Sequence, residues 1–309
     1  MKNIAVIGAG TMGNGIAHTF AQNGFKVNLI DISEEALKKG VQTISKNLDR
    51  QVAKEILTDA QKNQTPIKLT AHKYWEKSPL FGRKTFSLVK RLKDSNSGII
   101  AEHKRRSPSR FNINTSLTVT EVARGYEAAG VCGMSVLTDL KYFGGGLEDL
   151  NAARAVSEFP LLRKEFIIDP YQLIEAKAHG ADVILLIASI LSRNEIKLLS
   201  ETAKSLNLEV LLEVHNENEL EKSIMPSLDM LGVNNRNLKT FEVHLENSRE
   251  LAAKIPNDFI KVSESGISKV AAIKDLKTFG FQGFLIGESF MKSSDPGDSA
   301  LNFIKKISS

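Results

Sequence analysis

The sequence predicts an α/β protein in two parts: a closed (β/α)8 barrel of the TIM type over residues 66–309, preceded by a partial Rossmann-like βαβ-helix segment over residues 1–65. Three observations predict this. Eight short apolar runs, each ending in polar residues, recur between Gly98 and Ser289; helical patterns separate them; and a glycine-rich turn joins two β-rich runs near the N-terminus. A doubly wound sheet shows the same alternation but more usually stops at about five or six strands.

In the N-terminal segment, residues Asn3 to Ile7 read as a short buried strand, Gly15 to Asn23 as a helix closed by Gly24, and Lys26 to Ile30 as a second strand ending at Asp31. Between the first strand and the helix runs Gly8-Ala9-Gly10-Thr11-Met12-Gly13. Gly8 and Gly10 permit the tight turn and let backbone N–H groups approach a pyrophosphate, and Gly13 lets helix and strand pack closely. Asp31 follows at the distance from which an acid holds a ribose hydroxyl. Gly8, Gly10, Gly13 and Asp31 are therefore the candidate NAD-binding residues. Val41, Ile44, Leu48, Val52 and Ile56 then recur at spacings of three and four, which predicts one amphipathic helix. The polar run TDAQKNQTP (58–66) ends in proline and sets the domain boundary near Thr65. Two strands and two helices are too few to bury a full dinucleotide-binding core.

The barrel strands follow as GIIAEHK (98–104), VCGMSVLTD (131–139), PLLRKEF (160–166), DVILLIAS (182–189), EVLLEVHN (209–216), DMLGVNNRN (229–237), FIKVSESG (259–266) and GFLIGES (283–289). Helical patterns cover Thr118 to Ala129, Tyr171 to His179, Arg193 to Leu206, Glu217 to Ser223, Ser248 to Ala253, Lys269 to Thr278 and Ser299 to Ile307.

With 309 residues, 42% hydrophobic and 25% charged, the chain has the composition of a globular protein with a sizeable core. The net charge of +5 is small for the length and spread along the chain, which argues against nucleic acid as a partner and fits a small anionic metabolite. Arg105-Arg106 has no interleaved aromatic residue and reads as a solvated turn. The single cysteine, Cys132, excludes an internal disulfide and a multi-cysteine metal site, and reads as a buried thiol. No run reaches the roughly 18 apolar residues of a membrane helix, and no signal-peptide cleavage site follows the first apolar run. The expectation is a cytoplasmic monomer with no membrane, nucleic-acid or metal partner.

In a barrel of this kind the active site lies at the C-terminal ends of the strands. Glu102 and Lys104 alternate with His103, so they point to one side while His103 points toward the helices. The third run ends in Lys164 and Glu165, and the fifth carries Glu213. Opposed charges converging there stabilise each other and shift pKa values, which suits acid–base chemistry and equally a salt-bridged network that fills the barrel. The last two runs end in Ser263-Glu264-Ser265-Gly266 and Gly287-Glu288-Ser289, whose glycines expose backbone N–H groups where phosphate-binding barrels hold their phosphate. Asn234 and Arg236 offer an amide and a fork-shaped cation for a polar or anionic substrate. His18, His72, His179, His215 and His244 show no ligand spacing and no nucleophile beside them, and are assigned no chemistry.

The segments IIAEHKRRSPS, SVLTDLKYFGGG, LLRKEFIIDPYQ, DVILLIASIL, LLEVHNENEL, GVNNRNLKTFEV, KVSESGI and GFLIGESFM, in that order, resemble indole-3-glycerol-phosphate synthase, a (β/α)8-barrel lyase of tryptophan biosynthesis. The resemblance runs from about Pro66 to the C-terminus. It implies closure of an indole ring from 1-(2-carboxyphenylamino)-1-deoxyribulose 5-phosphate, with loss of CO2 and water and with no cofactor required. Carried over position by position, it implies Lys164 as general acid on the substrate carbonyl or its developing hydroxyl, and Glu213 as the acid–base counterpart in dehydration. Lys104 would hold the substrate carboxylate and assist proton transfer, and Glu102 would orient Lys104 and stabilise a cationic intermediate. Ser107, Asn234 and Arg236 would bind polar groups of the substrate. Ser265, Gly266, Gly287 and Glu288 would cradle the phosphate, chiefly through backbone amides, and Leu137, Phe143, Phe166 and Leu185 would face the anthranilate ring. The chain departs from the family pattern at Arg110-Phe111, where a glycine is expected, and at Gly146, Glu165 and His103, where serine, aspartate and an apolar or aromatic residue are expected.

The first 65 residues, through IAVIGAGTMGNGIAHTFAQNGFKVNLIDISEEAL, resemble instead the start of the NAD domain of a 3-hydroxyacyl-CoA dehydrogenase. That resemblance implies further strands and a helical substrate domain, and here the chain turns to the synthase pattern first. The segment is therefore expected to stop after its second strand, with residues 41–60 standing in for the first helix that covers the lower end of a synthase barrel and Ser87 to Lys93 forming part of the next. The alternative reading is an NAD-binding oxidoreductase, or an NAD-regulated fusion, that uses the N-terminal glycines.

Overall fold

Two hydrophobic patterns of different period produce two separate units, Met1–Lys77 and Ser78–Ser309. The computed structural model describes residues 3–31, 34–58, 67–71, 75–108, 112–237 and 240–308; His72 and Arg110-Phe111 lie outside them.

In the first unit β1 (Asn3–Ile7), α1 (Thr11–Gln22), β2 (Lys26–Asp31), α2 (Glu34–Ala53) and β3 (Ile67–Ala71) follow one another. The sheet order is β1-β2-β3, and both pairings are parallel. The expected stop after the second strand is thus corrected: Ile67 to Ala71 pair with Val27 to Asp31. The boundary accordingly falls after Lys77 and not near Thr65, because that strand completes this sheet. The long helix also belongs to this unit. Its stripe of Leu37, Ile44 and Leu48 buries against Val6, Ala17, Ala21, Val27 and Leu29, as a helix with one apolar face must when a sheet is its neighbour in sequence.

The glycine turn is built for close approach. A Cβ on Gly13 would lie 1.7 Å from the Gly8 carbonyl oxygen, whereas one on Gly10 would meet nothing within 4 Å. The Ala9 N–H donates to Asp31 Oδ2 at 2.6 Å, so the acid closes the same turn. Met12 and Ile7 stay 80% and 66% exposed, which is what a sheet with half a core leaves uncovered.

The second unit is a closed barrel of eight parallel strands: β4 (Ile99–His103), β5 (Gly133–Leu137), β6 (Leu161–Lys164), β7 (Val183–Ile187), β8 (Glu209–Val214), β9 (Met230–Asn234), β10 (Ile260–Glu264) and β11 (Phe281–Ile286). Seven of the predicted runs contain a strand outright, and the eighth, 283–289, overlaps β11, which begins two residues earlier at Phe281. Their helices are α4 (Val119–Ala128), α7 (Pro170–Ala178), α8 (Arg193–Ser205), α9 (Glu217–Ser223), α10 (Glu246–Ala252), α11 (Val270–Thr278) and α13 (Pro296–Ser308). Between β5 and β6 lie two helices that the sequence pattern did not suggest, α5 (Leu140–Phe143) and α6 (Leu147–Ala155), and a short α12 (Glu288–Met291) follows β11. The glycines at 144–146 interrupt the periodicity that would have revealed α5 and α6.

The strand period of two sorts the side chains. Ile100, Leu162, Leu185, Leu211, Met230, Ile260 and Val262 pack together inside the barrel, while Ile99, Ala101, Leu161, Leu212, Leu231 and Val233 belong to the layer between strands and helices. Below them α3 (Leu88–Asp94) inserts Leu88 and Leu92 into the inner cluster. Glu209, at the start of β8, fixes that helix by accepting from Leu88 N at 2.8 Å and Val89 N at 3.1 Å.

Asp182, wholly buried before β7, joins the same end of the barrel to its outer layer. It accepts from Arg83 Nη2 at 2.6 Å, Arg154 Nη2 at 2.7 Å, Phe86 N at 2.8 Å and Leu161 N at 2.9 Å. Removing one partner of such a cluster leaves the others charged or unsatisfied, so Asp182→Ala is expected to cost about 3–5 kcal/mol. Urea unfolding followed by tryptophan-independent far-UV circular dichroism checks this; a cost under about 1 kcal/mol would show the cluster to be idle.

Candidate active site

On four strands the inward face ends in a polar side chain two residues beyond an apolar one. Ile100 is followed by Glu102, Leu162 by Lys164, Leu211 by Glu213, and Val262 by Glu264. Asn234 stands two residues after Gly232, on the strand between β8 and β10. All five line one cavity of about 540 Å³ at the C-terminal mouth of the barrel.

Lys164 is the hub. Its Nζ lies 3.4 Å from Glu213 Oε2 and donates to Glu264 Oε2. Burial works against its charge, but Glu264, Glu213 and Glu102 outweigh burial and push its pKa above the ordinary lysine value. Lys104 Nζ sits 2.7 Å from Glu102 Oε1, so the pair that alternates with His103 faces inward as the sequence suggests. Glu102 is desolvated, yet Lys104 and Lys164 hold its carboxyl below the usual range. Asn234 Nδ2 donates to Glu213 Oε1 at 3.0 Å.

Glu264 is the residue that sequence reasoning missed. It is 1% exposed and its Oε1 has no hydrogen-bond partner. Desolvation raises its pKa to about 7, Lys164 opposing and Glu213 and Glu102 adding to the rise. The signal was available: in KVSESG the residues Val262 and Glu264 share a face, but the motif drew attention to its glycine. A Cβ at position 232 would stand 2.5 Å from Glu264 Oε1, and one at position 287 would stand 2.6 Å from Glu102 Oε1, so Gly232 and Gly287 make room for two of the carboxylates.

His103 faces away from the cavity, 2% exposed, and burial lowers its pKa to about 4. Arg105-Arg106 is not a free solvated turn. Arg105 Nη2 donates to Asp149 Oδ1 at 2.7 Å and Arg106 Nη2 to the Lys141 carbonyl at 3.2 Å, tying the β4 exit to α5 and α6. Cys132 is buried, and desolvation raises its thiol pKa.

Ser107, Arg236, Ser265, Gly266, Gly287 and Glu288 also line the cavity. Ser265 and Gly266 are both left-handed, with φ of 67° and 78°, a conformation strained for the serine and free for the glycine. The Glu288 carboxylate is engaged by Lys292 at 2.7 Å, which leaves its backbone and not its side chain for an anion. Arg236 Nη1 donates to the Phe241 carbonyl at 3.1 Å. Leu137, Phe143, Phe166 and Leu185 form an apolar wall, and Glu165, held by Thr138 Oγ1 at 2.6 Å, stands beside Phe166. Gly146 caps α6 and does not reach the cavity.

The family model for indole-3-glycerol phosphate synthase matches residues 49–303. The chain belongs to the indole-3-glycerol phosphate synthase family. A synthase from Bacteroides thetaiotaomicron is 50% identical over 221 residues, covering 72% of this chain and 85% of that protein. One from Polynucleobacter necessarius is 44% identical over 211 residues, covering 68% and 79%. A second family model, the NAD binding domain of 3-hydroxyacyl-CoA dehydrogenase, matches residues 3–77, the span of the first unit. Among solved structures, 3-hexulose-6-phosphate synthase from Salmonella typhimurium covers 68% of this chain and 98% of its own, with a TM-score of 0.53 and 14% identity, a likeness of barrel fold alone. Within the synthase family, then, the barrel mouth is the place to look for chemistry.

Proposed function

We propose that this chain closes the indole ring of indole-3-glycerol phosphate at the mouth of its barrel, acting as a carboxy-lyase of tryptophan biosynthesis on 1-(2-carboxyphenylamino)-1-deoxyribulose 5-phosphate. The observation that carries the assignment of roles is Lys164, half-buried between Glu213 and Glu264 in a cavity lined by apolar side chains and by glycines.

Ring closure needs an acid at the ketone oxygen. Lys164, kept charged by three carboxylates, gives a proton to that oxygen as it becomes an alkoxide. Glu264, whose proton affinity lies near neutrality, returns a proton to Lys164. Loss of CO2 restores the aromatic ring, and Lys104 balances the carboxylate until it leaves. Glu102 orients Lys104 and faces the positive charge that develops on the ring nitrogen. Dehydration then needs an acid and a base, and Glu213, fixed by Asn234, takes the proton while Lys164 assists departure of the hydroxyl.

Ser107, Asn234 and Arg236 bind the polar groups of the substrate. Ser265, Gly266, Gly287 and Glu288 hold its phosphate through backbone N–H groups. No cofactor is required by these steps. Gly8, Gly10, Gly13 and Asp31 form a turn that fits the pyrophosphate and ribose of NAD, and NAD bound there would supply redox chemistry that the ring closure does not use. A lone buried cysteine fits a reducing compartment, which supports the cytoplasm. Among the described residues no helix is long and apolar enough to cross a membrane.

The test follows indole fluorescence from the full-length protein given the substrate, and given the same molecule without its phosphate. Product is expected from the first, with kcat/KM lower by about a hundredfold for the second, the worth of two charge-assisted hydrogen bonds. No product from the first, or equal efficiency for both, contradicts the reading.

A further inference from the structure

His215 is the histidine that sequence pattern leaves without a task and that the steps above do not use. It follows Glu213 by two residues, just past the end of β8, so the strand period turns both side chains to the same side. Its Nε2 lies 3.4 Å from Glu213 Oε1, and its Nδ1 lies 3.2 Å from Glu219 Oε2. Glu219 is itself held in the first turn of α9, accepting from His215 N at 2.8 Å and from Asn216 Nδ2 at 2.8 Å. The imidazole side chain is 13% exposed.

A neutral imidazole presents one N–H and one lone pair, and the lone pair would have to face a carboxylate. Only the imidazolium turns a positive edge to both acids. Asn234 donates to Glu213 Oε1 at 3.0 Å, and the buried His215 Nε2, which makes no hydrogen bond, stands 3.4 Å from that same oxygen as a charge, leaving Oε2 for Lys164 at 3.4 Å.

We propose that His215 is a positioning residue: clamped as an imidazolium by Glu219, it fixes Glu213 as the base opposite Lys164. The inference rests on the role given to Glu213 above. The charged groups that face the ring are Glu213 on its own strand, Glu219 from α9 and Glu264 from β10, with Lys164 of β6 reaching it only through Glu213. Burial disfavours the charged ring, but the hydrogen bond to Glu219 and the charges of Glu213, Glu219 and Glu264 outweigh burial and raise its pKa. A raised histidine pKa contributes stability that is complete below the unfolded value and fades as pH rises through the folded one. The clamp is therefore complete below the ordinary histidine value and is lost as pH rises through the raised one.

Two measurements on the full-length protein test this. In His215→Gln the amide keeps one hydrogen bond but loses the charge, so the acidic limb of the kcat–pH profile is expected to move up by about one pH unit, with KM changed less than about twofold. In wild-type protein labelled with 15N-histidine, the His215 ring, identified by its absence from His215→Gln, is expected to carry protons on both nitrogens at pH 7, and to become neutral in Glu219→Gln. A neutral ring in the wild type, or an unmoved acidic limb in a His215→Gln protein that still turns over, overturns the inference. Failure of the wild type to make an indole product would overturn the proposed function instead, while the ring's charge would still decide the state of His215.

Discussion

Replacing Lys164 by methionine is expected to lower kcat by about a thousandfold or more, the scale of a lost general acid, with a much smaller change in KM. Methionine keeps the length and apolar bulk of the stem, so the barrel wall stays filled. What disappears is the ammonium that bridges Glu213 and Glu264. The two carboxylates then lose the cation between them, which favours uptake of a proton at the pair. Steady-state kinetics by indole fluorescence checks the rate, and a variant that retained more than about a tenth of wild-type kcat would remove Lys164 from the proton transfers.

Glu264→Gln is expected to separate activity from stability. The side chain is fully enclosed, and its carboxyl titrates near pH 7 because desolvation and two neighbouring glutamates outweigh Lys164. A carboxyl whose folded pKa lies above its unfolded value favours the folded state in acid, and that advantage is lost as pH rises from the unfolded value toward 7. At pH 8 the wild type therefore carries a buried charge that the glutamine does not. The variant is expected to melt at or above the wild-type temperature at pH 8, yet to lose about a hundredfold in kcat and the alkaline limb centred near pH 7. Scanning calorimetry and a pH–rate profile check both halves. A variant that keeps the limb would place that ionisation on another group.

Why Glu102, Lys164 and Glu213 could be read from sequence and Glu264 and His215 could not comes down to one rule applied unevenly. Glu102 was found by counting alternate residues from an apolar strand core. The same count from Val262 reaches Glu264, and from Leu211 and Glu213 it reaches His215. In those places the neighbouring glycine, or the absence of a metal-ligand spacing, drew the reading elsewhere. The eight strands were legible because inward and outward residues alike are buried, which makes each run continuously apolar. The third N-terminal strand, IKLTA, has two polar residues in five and directly follows Pro66, so it did not stand out from the polar run before it. That α2 packs in the N-terminal core was not legible for a related reason. Amphipathicity states that a helix has an apolar face and is silent on which sheet receives it; Val27 and Leu29 of β2 receive it here.

Among the described residues, acids, bases and a polar cavity converge in the barrel, whereas the glycine turn that we propose as a site for NAD lies in the N-terminal unit. The most direct test of that division is turnover of the carboxyphenylamino deoxyribulose phosphate by the full-length protein, followed by indole fluorescence with no nucleotide present and again with saturating NAD. The expected result is turnover without nucleotide and the same kcat with it. No turnover, or turnover that depends on NAD, would contradict the placement of catalysis on Lys104, Lys164, Glu213 and Glu264.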